Sequence, residues 1–183
     1  MKTKLKTSDK IVIIIAIAIV ALISYDIISR AVESKRQEDK ADAVCNALFV
    51  TEKAEAVNLH EAIAQLMDTP DEEHYSAALK AAEYTETVCM QTFGSNSNIV
   101  LTFGAGLNYY STFYRDVKFA LSNRLDPSEL QPLNDLISEI IALYNTPAAP
   151  SSAHEKLKAA ENFYNSVYLL LENNSEVLLN IYE

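Results

Sequence analysis

The sequence predicts an all-α protein with a single N-terminal transmembrane helix and an extracytoplasmic helical bundle. The chain of 183 residues holds only three glycines and five prolines, too few for the frequent turns of an all-β domain. One continuous apolar run lies near the N-terminus. The rest of the chain is rich in Ala, Leu, Glu and Lys at helical spacing, and 49% of all residues are hydrophobic, which is enough to build a core.

The apolar run predicts a transmembrane anchor over residues 11–28. From Ile11 to Ile23 no polar residue interrupts it, and the stretch to Ile28 is about 27 Å long as a helix, against a hydrocarbon core of about 30 Å. A cleaved signal peptide is the alternative, but a small-x-small cleavage site directly after the run is missing. The lysines before the run are Lys2, Lys4, Lys6 and Lys10. They predict a cytoplasmic tail over 1–10 and a periplasmic or extracellular body.

A charged helical stalk is predicted over 29–42 and the bundle over 43–183, with a flexible linker as the alternative for the stalk. The formal net charge of the chain is −10 although lysines dominate the N-terminal tail, so the acidity belongs to the body. An acidic body repels the phosphates of nucleic acid, and no basic stripe offsets this. Nucleic acid is therefore excluded as a partner.

Cap sequences predict where the helices of the body begin. The N-caps with their capping-box partners are Thr69 with Glu72, Asp126 with Glu129, and Ser152 with Glu155. The predicted helices cover about 36–67, 70–92, 99–123, 127–144 and 152–172, followed by a short last helix. Polar turns are expected at 94–98 and 146–150. Residues 99–103 also fit a strand, but the repeat described next favours a helix there.

An internal duplication is predicted because the chain matches itself at a shift of 77–78 residues. Residues Leu59, Ile63 and Leu66 correspond to Leu136, Ile140 and Leu143, and the segment LKAAE at 79–83 recurs at 157–161. The two helical-hairpin units would cover about 51–123 and 128–183, and we expect them to superpose. The last helix of the second unit is shorter. A groove is therefore expected at the C-terminal end, where a partner would bind.

Cys45 and Cys89 are predicted to form a disulfide across the first hairpin. They lie at similar distances from the turn at Thr69-Pro70, and an exported compartment is oxidising. Such a bridge would add about 3–4 kcal/mol to stability by the chain-entropy estimate. The alternative is a pair of buried thiols. Neither cysteine has a CxxC partner or a neighbouring histidine, so thiol catalysis is not predicted.

The third predicted helix carries a group of aromatic residues, Tyr109, Tyr110, Phe113 and Tyr114. Pairs at i, i+4 lie on two adjacent faces of the helix. One face is expected to be core, and the other is either core as well or a possible binding surface for a partner or ligand. The small residues 104–106 precede this group. They lack the spacing and the preceding strand of a phosphate loop, so they predict a close helix contact or a kink.

The sequence predicts a protein that is not an enzyme and holds no cofactor. The histidines His60, His74 and His154 lack the spacing of metal ligands, and no nucleophilic triad or phosphate loop occurs. We therefore expect a membrane-anchored extracytoplasmic module that binds another protein, as an accessory, inhibitory or immunity-type subunit. The alternative is a sensor-like domain that binds a small ligand in a pocket lined by the third-helix tyrosines.

Overall fold

A computed structural model describes residues 7–95, 97–144 and 152–182. The chain divides into two units, Met1–Lys40 and Ala41–Glu183. The described residues are helical and contain no strand, which confirms the predicted all-α fold.

The first unit contains most of helix α1 (Thr7–Asn46). Its large apolar side chains from Ile15 to Val32 are all at least half exposed. Two ion pairs follow the spacing of a single helix, Arg30 with Asp26 at 2.9 Å and Arg36 with Glu33 at 3.9 Å. Lys2, Lys4 and Lys6, on which the predicted orientation depends, lie outside the described residues. No helix in the described part of the chain has the combined length and apolarity needed to cross a membrane.

The second unit begins with the end of α1 and a π-helical segment. The π-segment (Ala47–Glu52) leads directly into α2. The helices that follow are α2 (Lys53–Asp68), α3 (Glu72–Ser95), α4 (Ser97–Ser122), α5 (Pro127–Leu143), α6 (Ala153–Asn173) and α7 (Ser175–Leu179), with a 3₁₀ turn at Asn180–Tyr182.

These helices enclose one core. Helix α2 packs against α3 and α5, while α4 packs against α3 and α6. The hydroxyl of Thr85 donates to the carbonyl of Glu55 at 3.2 Å, which sets the register of the antiparallel α2–α3 pair. Apolar side chains at i, i+3 and i+4 spacing supply the core face, as in Leu59, Ile63 and Leu66 of α2, all fully buried.

Two of the three predicted caps are confirmed. The carboxylate of Glu129 accepts from the N–H of Asp126 at 2.9 Å, and Pro127 is the first residue of α5. Ser152 and Glu155 exchange the two hydrogen bonds of a capping box at the start of α6. These bonds satisfy backbone N–H groups that the first helical turn leaves without partners.

The third predicted cap is wrong by two residues. Thr69 ends α2, because its N–H donates to Gln65 at 2.9 Å, and α3 begins only at Glu72. The N–H of His74 donates to the carboxylate of Asp71 at 2.9 Å, so Asp71 is the N-cap. The negative charge of an aspartate in this position is also stabilised by the positive end of the helix dipole.

The connection between α4 and α5 is held by contacts with the start of α3. Arg124 has a positive φ of 54°, the left-handed conformation that commonly ends a helix. Its guanidinium donates to the carboxylate of Glu72 at 2.6 and 2.7 Å and lies 5.6 Å from the ring centre of Tyr75. The hydroxyl of Tyr75 donates to the carbonyl of Leu125 at 2.9 Å. The turn is therefore tied to α3.

The loop predicted at 94–98 is almost entirely helical in the structure. At 94–98 the chain leaves α3 after Ser95 and enters α4 at Ser97, so nearly all of that segment is helical. Residues 99–103 belong to α4, which confirms helix over the strand alternative. The predicted turn at 146–150 lies outside the described residues.

The order of the elements is compatible with the internal duplication. Helices α2, α3 and α4 have α5, α6 and α7 as their counterparts, and α7 is much the shortest. The equivalent residues Leu59 and Leu136 are both buried, as are Ile63 and Ile140. Helices α2 and α5, which carry these residues, pack against each other. Superposition of the two units stays a prediction.

Candidate functional site

A surface pocket lies where the C-terminal elements meet α5. We call it the C-terminal pocket. Its volume is about 240 Å³, and it is lined by Leu125, Glu129, Pro132, Val177, Asn180 and Ile181. Leu125, Glu129 and Pro132 come from the turn before α5 and from its first turns, and the other three come from α7 and the 3₁₀ turn. The sequence predicted a groove beside these C-terminal elements, which supply three of the six lining residues.

Both walls of the C-terminal pocket are positioned by hydrogen bonds from outside it. On one side the hydroxyl of Tyr75 holds the carbonyl of Leu125 at 2.9 Å. On the other the hydroxyl of Tyr182 donates to the carboxylate of Asp116 at 2.6 Å, and its ring stacks on Phe119 with the ring centres 5.1 Å apart. The pocket is therefore formed by fixed elements rather than by loose side chains.

The hydrogen bond between Tyr182 and Asp116 also affects titration of the phenol. Because a carboxylate acceptor favours the protonated hydroxyl, this bond is the main cause that raises the pKa of Tyr182. The phenol therefore keeps its proton, and with it the hydrogen bond, at neutral pH.

Exposed apolar side chains lie next to residues of the C-terminal pocket in the chain, and a third stacks on one of them. Leu179 is 65% exposed and Tyr182 is 58% exposed, on either side of the pocket residues Asn180 and Ile181. Phe119, which stacks on Tyr182, is 40% exposed. Aromatic side chains at a pocket rim are typical of the residues that supply most of the affinity at protein interfaces.

The surroundings of the C-terminal pocket are acidic. Asp126, Glu129, Asp135 and Glu176 are exposed on α5, its N-cap and α7. No lysine or arginine occurs in residues 125–155 or 159–183, which contain every pocket residue. The nearest arginine in the sequence, Arg124, donates to Glu72 on α3. Acidic residues therefore outnumber basic ones in the segments that line the pocket.

A second group of polar residues lies inside the bundle. We call it the polar core cluster, and its members are Glu52, Cys89, Tyr110, Tyr114, Tyr144 and Tyr164. All six are buried, and they come from the π-segment and from α3, α4, the end of α5 and α6. The hydroxyls of Tyr110 and Tyr144 form a hydrogen bond. The ring of Tyr110 packs edge-on against those of Tyr114 and Tyr164 at centre distances of 5.0 and 5.8 Å.

Burial keeps the tyrosine hydroxyls and the thiol of the polar core cluster protonated. It raises the pKa of all four tyrosines well above the usual value of a phenol, and nearby phenols or the Glu52 carboxyl group add to the shift. Burial, followed by the charge of Glu52, likewise raises the pKa of the Cys89 thiol. A nucleophilic cysteine needs a thiolate, so Cys89 is not suited to covalent chemistry.

The predicted aromatic binding surface is not found as predicted. Tyr110, Phe113 and Tyr114 are fully buried and belong to the core. Tyr109 is 42% exposed and packs edge-on against Tyr168 of α6, with the ring centres 4.9 Å apart. Of the four residues only Tyr109 therefore offers a surface, and it is shared with α6.

The predicted disulfide is wrong, because Cys45 and Cys89 are both free thiols. The bond between Glu55 and Thr85 places Cys89 opposite residue 51, six residues beyond Cys45. Six residues of helix are about 9 Å, whereas bridged cysteines have their Cα atoms within about 7 Å. Cys45 instead lies beside α6, where its thiol donates to the carbonyl of Lys156 at 3.5 Å.

The histidines do not gather into a site. Nδ1 of His74 lies 2.7 Å from the carboxylate of Asp71, a contact within the first turn of α3. Within residues 7–95, 97–144 and 152–182, no three His, Cys, Asp or Glu side chains are grouped to hold a metal ion.

Sequence reasoning missed Glu52 and the pocket residues. The signal for Glu52 was present, because it lies four residues after Leu48 and four before Ala56, both on the core stripe. No family model, curated protein or solved structure matches the chain.

Proposed function

We propose that this protein is a membrane-anchored, non-catalytic helical module that binds another protein through the surface around its C-terminal pocket. The observation that carries the proposal is the pocket itself, with Leu125, Val177 and Ile181 in its lining and the exposed side chains of Leu179 and Tyr182 next to its residues in the chain. Contiguous apolar surface with aromatic anchors is typical of interaction sites.

The anchor is proposed for residues 11–28, with the body in the periplasm or outside the cell. Two observations support it. The run from Ile11 to Ile23 is uninterrupted in the sequence, and the large side chains of α1 from Ile15 to Val32 are exposed. Exposed apolar side chains on all sides of a helix need a covering, and lipid provides one. Four lysines before the run favour a cytoplasmic N-terminus.

The duplication is proposed as the origin of the bundle. Repeated order of elements and paired burial of Leu59 with Leu136 and of Ile63 with Ile140 support it. In such a bundle the short α7 replaces a full-length counterpart of α4, and the C-terminal pocket adjoins α7.

Site-specific photo-crosslinking in the protein's own membrane tests the binding function. A photoreactive residue at Asn180, which lines the pocket and is exposed, should give a discrete crosslinked species whose partner is then identified by mass spectrometry. The matched control is the exposed Glu83 on α3. Absence of a crosslink at Asn180 and at a panel of other exposed positions would rule out a stable protein partner.

A reporter fusion tests the anchor and its orientation. An enzyme that is active only outside the cytoplasm, fused after Glu183, should be active. Activity of a cytoplasmic reporter in its place would reverse the topology, and release of the full-length body by a carbonate wash would show that the run does not anchor it.

A second candidate is small-ligand binding at the polar core cluster, because polar groups from five elements converge there. It is the weaker candidate, since the hydroxyls of Tyr110 and Tyr144 bond to each other. Native mass spectrometry tests it. A bound small molecule that is present in the wild type and lost in Tyr164→Phe would support this function.

A further inference from the structure

We propose that the C-terminal pocket takes a single bulky apolar side chain from a cationic, amphipathic segment of the partner protein. This deepens the proposed binding function and rests on it. The volume of the pocket, the charges around it and the exposed side chains near it each limit which kind of group can bind there.

The size of the pocket favours one side chain. Its volume of about 240 Å³ is below the roughly 300–1,000 Å³ typical of sites that enclose a small ligand. Leu125, Val177 and Ile181 supply an apolar part of the lining, and Glu129 and Asn180 supply a polar part, so an apolar side chain flanked by polar or charged groups matches it. A leucine, phenylalanine or tryptophan inserted as an anchor fits this description.

The charge around the pocket selects a basic segment. Glu129 lines the pocket, and the exposed acids Asp126 and Glu176 are chain neighbours of the lining residues Leu125 and Val177. The segments 125–155 and 159–183 contain no lysine or arginine, and Arg124 and Arg115 are each paired with an acid, Glu72 and Asp116. A segment whose apolar anchor is flanked by Lys or Arg therefore gains attraction at the rim, which speeds association and rejects acidic competitors.

Other occupants fit less well. In a two-fold dimer through this surface the same acids would face one another, and like charges at an interface are unfavourable. An anionic membrane surface would be repelled for the same reason. Leu179 and Tyr182, which are exposed and neighbour the lining residues Asn180 and Ile181 in the chain, offer further apolar surface to the bound segment.

Peptide binding to the full-length protein in micelles of an uncharged detergent tests this inference. The probe is a labelled amphipathic helical peptide of lysine and leucine with one central phenylalanine, followed by fluorescence anisotropy. Two matched probes carry glutamate in place of every lysine, or alanine in place of the phenylalanine. We expect the cationic probe to bind, the alanine probe to bind about tenfold more weakly, and the acidic probe not to bind.

Variants of the protein locate the binding. Val177→Trp fills the pocket and should weaken binding of the cationic probe at least about tenfold. Asn180→Trp, at an exposed pocket residue, does the same if the first variant folds poorly. Glu176→Lys should weaken binding and reduce its salt dependence, while the matched Glu83→Lys on α3 should leave both unchanged.

Three results would overturn the inference. These are equal binding of the acidic and cationic probes, unchanged binding to both tryptophan variants, and no detectable binding of the cationic probe. If a partner is nevertheless crosslinked at Asn180, the binding function stands and only the chemistry assigned to the partner fails. If no exposed position is crosslinked to a protein, the binding function itself fails.

Discussion

Gly106 lies at a close approach between α4 and α6. A Cβ atom added at this position would overlap the backbone carbonyl of Tyr164 and would lie 3.0 Å from the Tyr164 Cβ. Because the obstacle is backbone rather than the end of a flexible side chain, the helices would have to move apart. The small residues 104–106 predicted a close helix contact, and Gly106 makes one.

Gly106→Ala is expected to lower the free energy of unfolding by about 1–3 kcal/mol. Alanine normally stabilises a helix interior by about 1 kcal/mol relative to glycine, so the overlap must reverse the usual sign. Denaturant unfolding of the full chain in micelles measures the change. The control is Asn108→Ala, an exposed position on the same helix, which should stay within about 0.5 kcal/mol of the wild type. A Gly106→Ala variant as stable as the wild type would contradict the contact.

The two thiols are expected to differ in reactivity towards an alkylating reagent. Burial raises the pKa of both, and that of Cys89, which is fully buried, is raised much further. Under native conditions Cys45 should therefore be labelled first and Cys89 only when the bundle unfolds. Mass measurement should show two labels in denaturant without reductant. No label under those conditions would mean that a disulfide is present after all.

The role of a residue could be predicted where a local sequence rule applies, and could not be predicted where tertiary packing determines it. Glycine among small residues pointed to a close helix contact or a kink, because a residue without a Cβ atom lets a neighbouring backbone approach. The burial of Glu52 was not predicted, since a glutamate in an acidic chain is ordinarily on the surface. Its burial depends on the tyrosines of α4, α5 and α6, which come together only in the folded bundle.

At the level of helices, the residue at which a helix begins was easier to predict than the register between two packed helices. Asp126 and Ser152 cap α5 and α6 as their sequences indicate, because a capping box is complete within four residues. The disulfide prediction was wrong because it depended on the register between two helices. That register is set by contacts such as Glu55 with Thr85, which a count from the turn does not reveal.

Substitution of the two neighbouring cap residues tests the corrected start of α3. Asp71→Ala should lower the melting temperature because it removes the acceptor for the N–H of His74. Thr69→Ala should have a smaller effect, since the bond of Thr69 to Gln65 uses only its backbone. Thermal unfolding followed by circular dichroism compares them. A larger loss for Thr69→Ala would restore the cap predicted from the sequence.

The effect of Asp71 should also depend on pH. The N–H of His74 is the main cause that lowers the pKa of Asp71, followed by the His74 side chain. An acid with a lowered pKa in the folded state adds stability above its unfolded pKa and loses it as the pH falls through the folded value. The difference between Asp71→Ala and the wild type should therefore shrink in acid. A difference that persists in strong acid would argue against the carboxylate as the cap.

The whole molecule combines an acidic surface with an interior whose tyrosine hydroxyls stay protonated. Composition predicted the first, because 25 acidic residues face 15 basic ones and few charges can be buried. The C-terminal end was predicted as a groove, but its lining residues were not. The lining residues depend on how α7 and the 3₁₀ turn pack against α5, and no local sequence pattern encodes this long-range arrangement.

The polar core cluster should make the protein sensitive to alkali. Burial holds the pKa of Tyr110, Tyr114, Tyr144 and Tyr164 well above the value of about 10 that they have in the unfolded chain. Above about pH 10 the unfolded chain releases these protons and the folded protein does not, so stability falls as the pH rises. Each phenol contributes about 1.4 kcal/mol per pH unit in that range.

Denaturant unfolding across the alkaline range measures this slope, with tyrosine-to-phenylalanine variants as the comparison. Tyr114→Phe removes one buried phenol and should make the decline shallower by the contribution of one group. Tyr84→Phe, at a position 58% exposed on α3, is the matched control and should keep the wild-type slope because an exposed phenol keeps its contact with water in both states. Equal slopes in the two variants would mean that the interior phenols ionise as readily as exposed ones, and the closed, protonated interior would then be wrong.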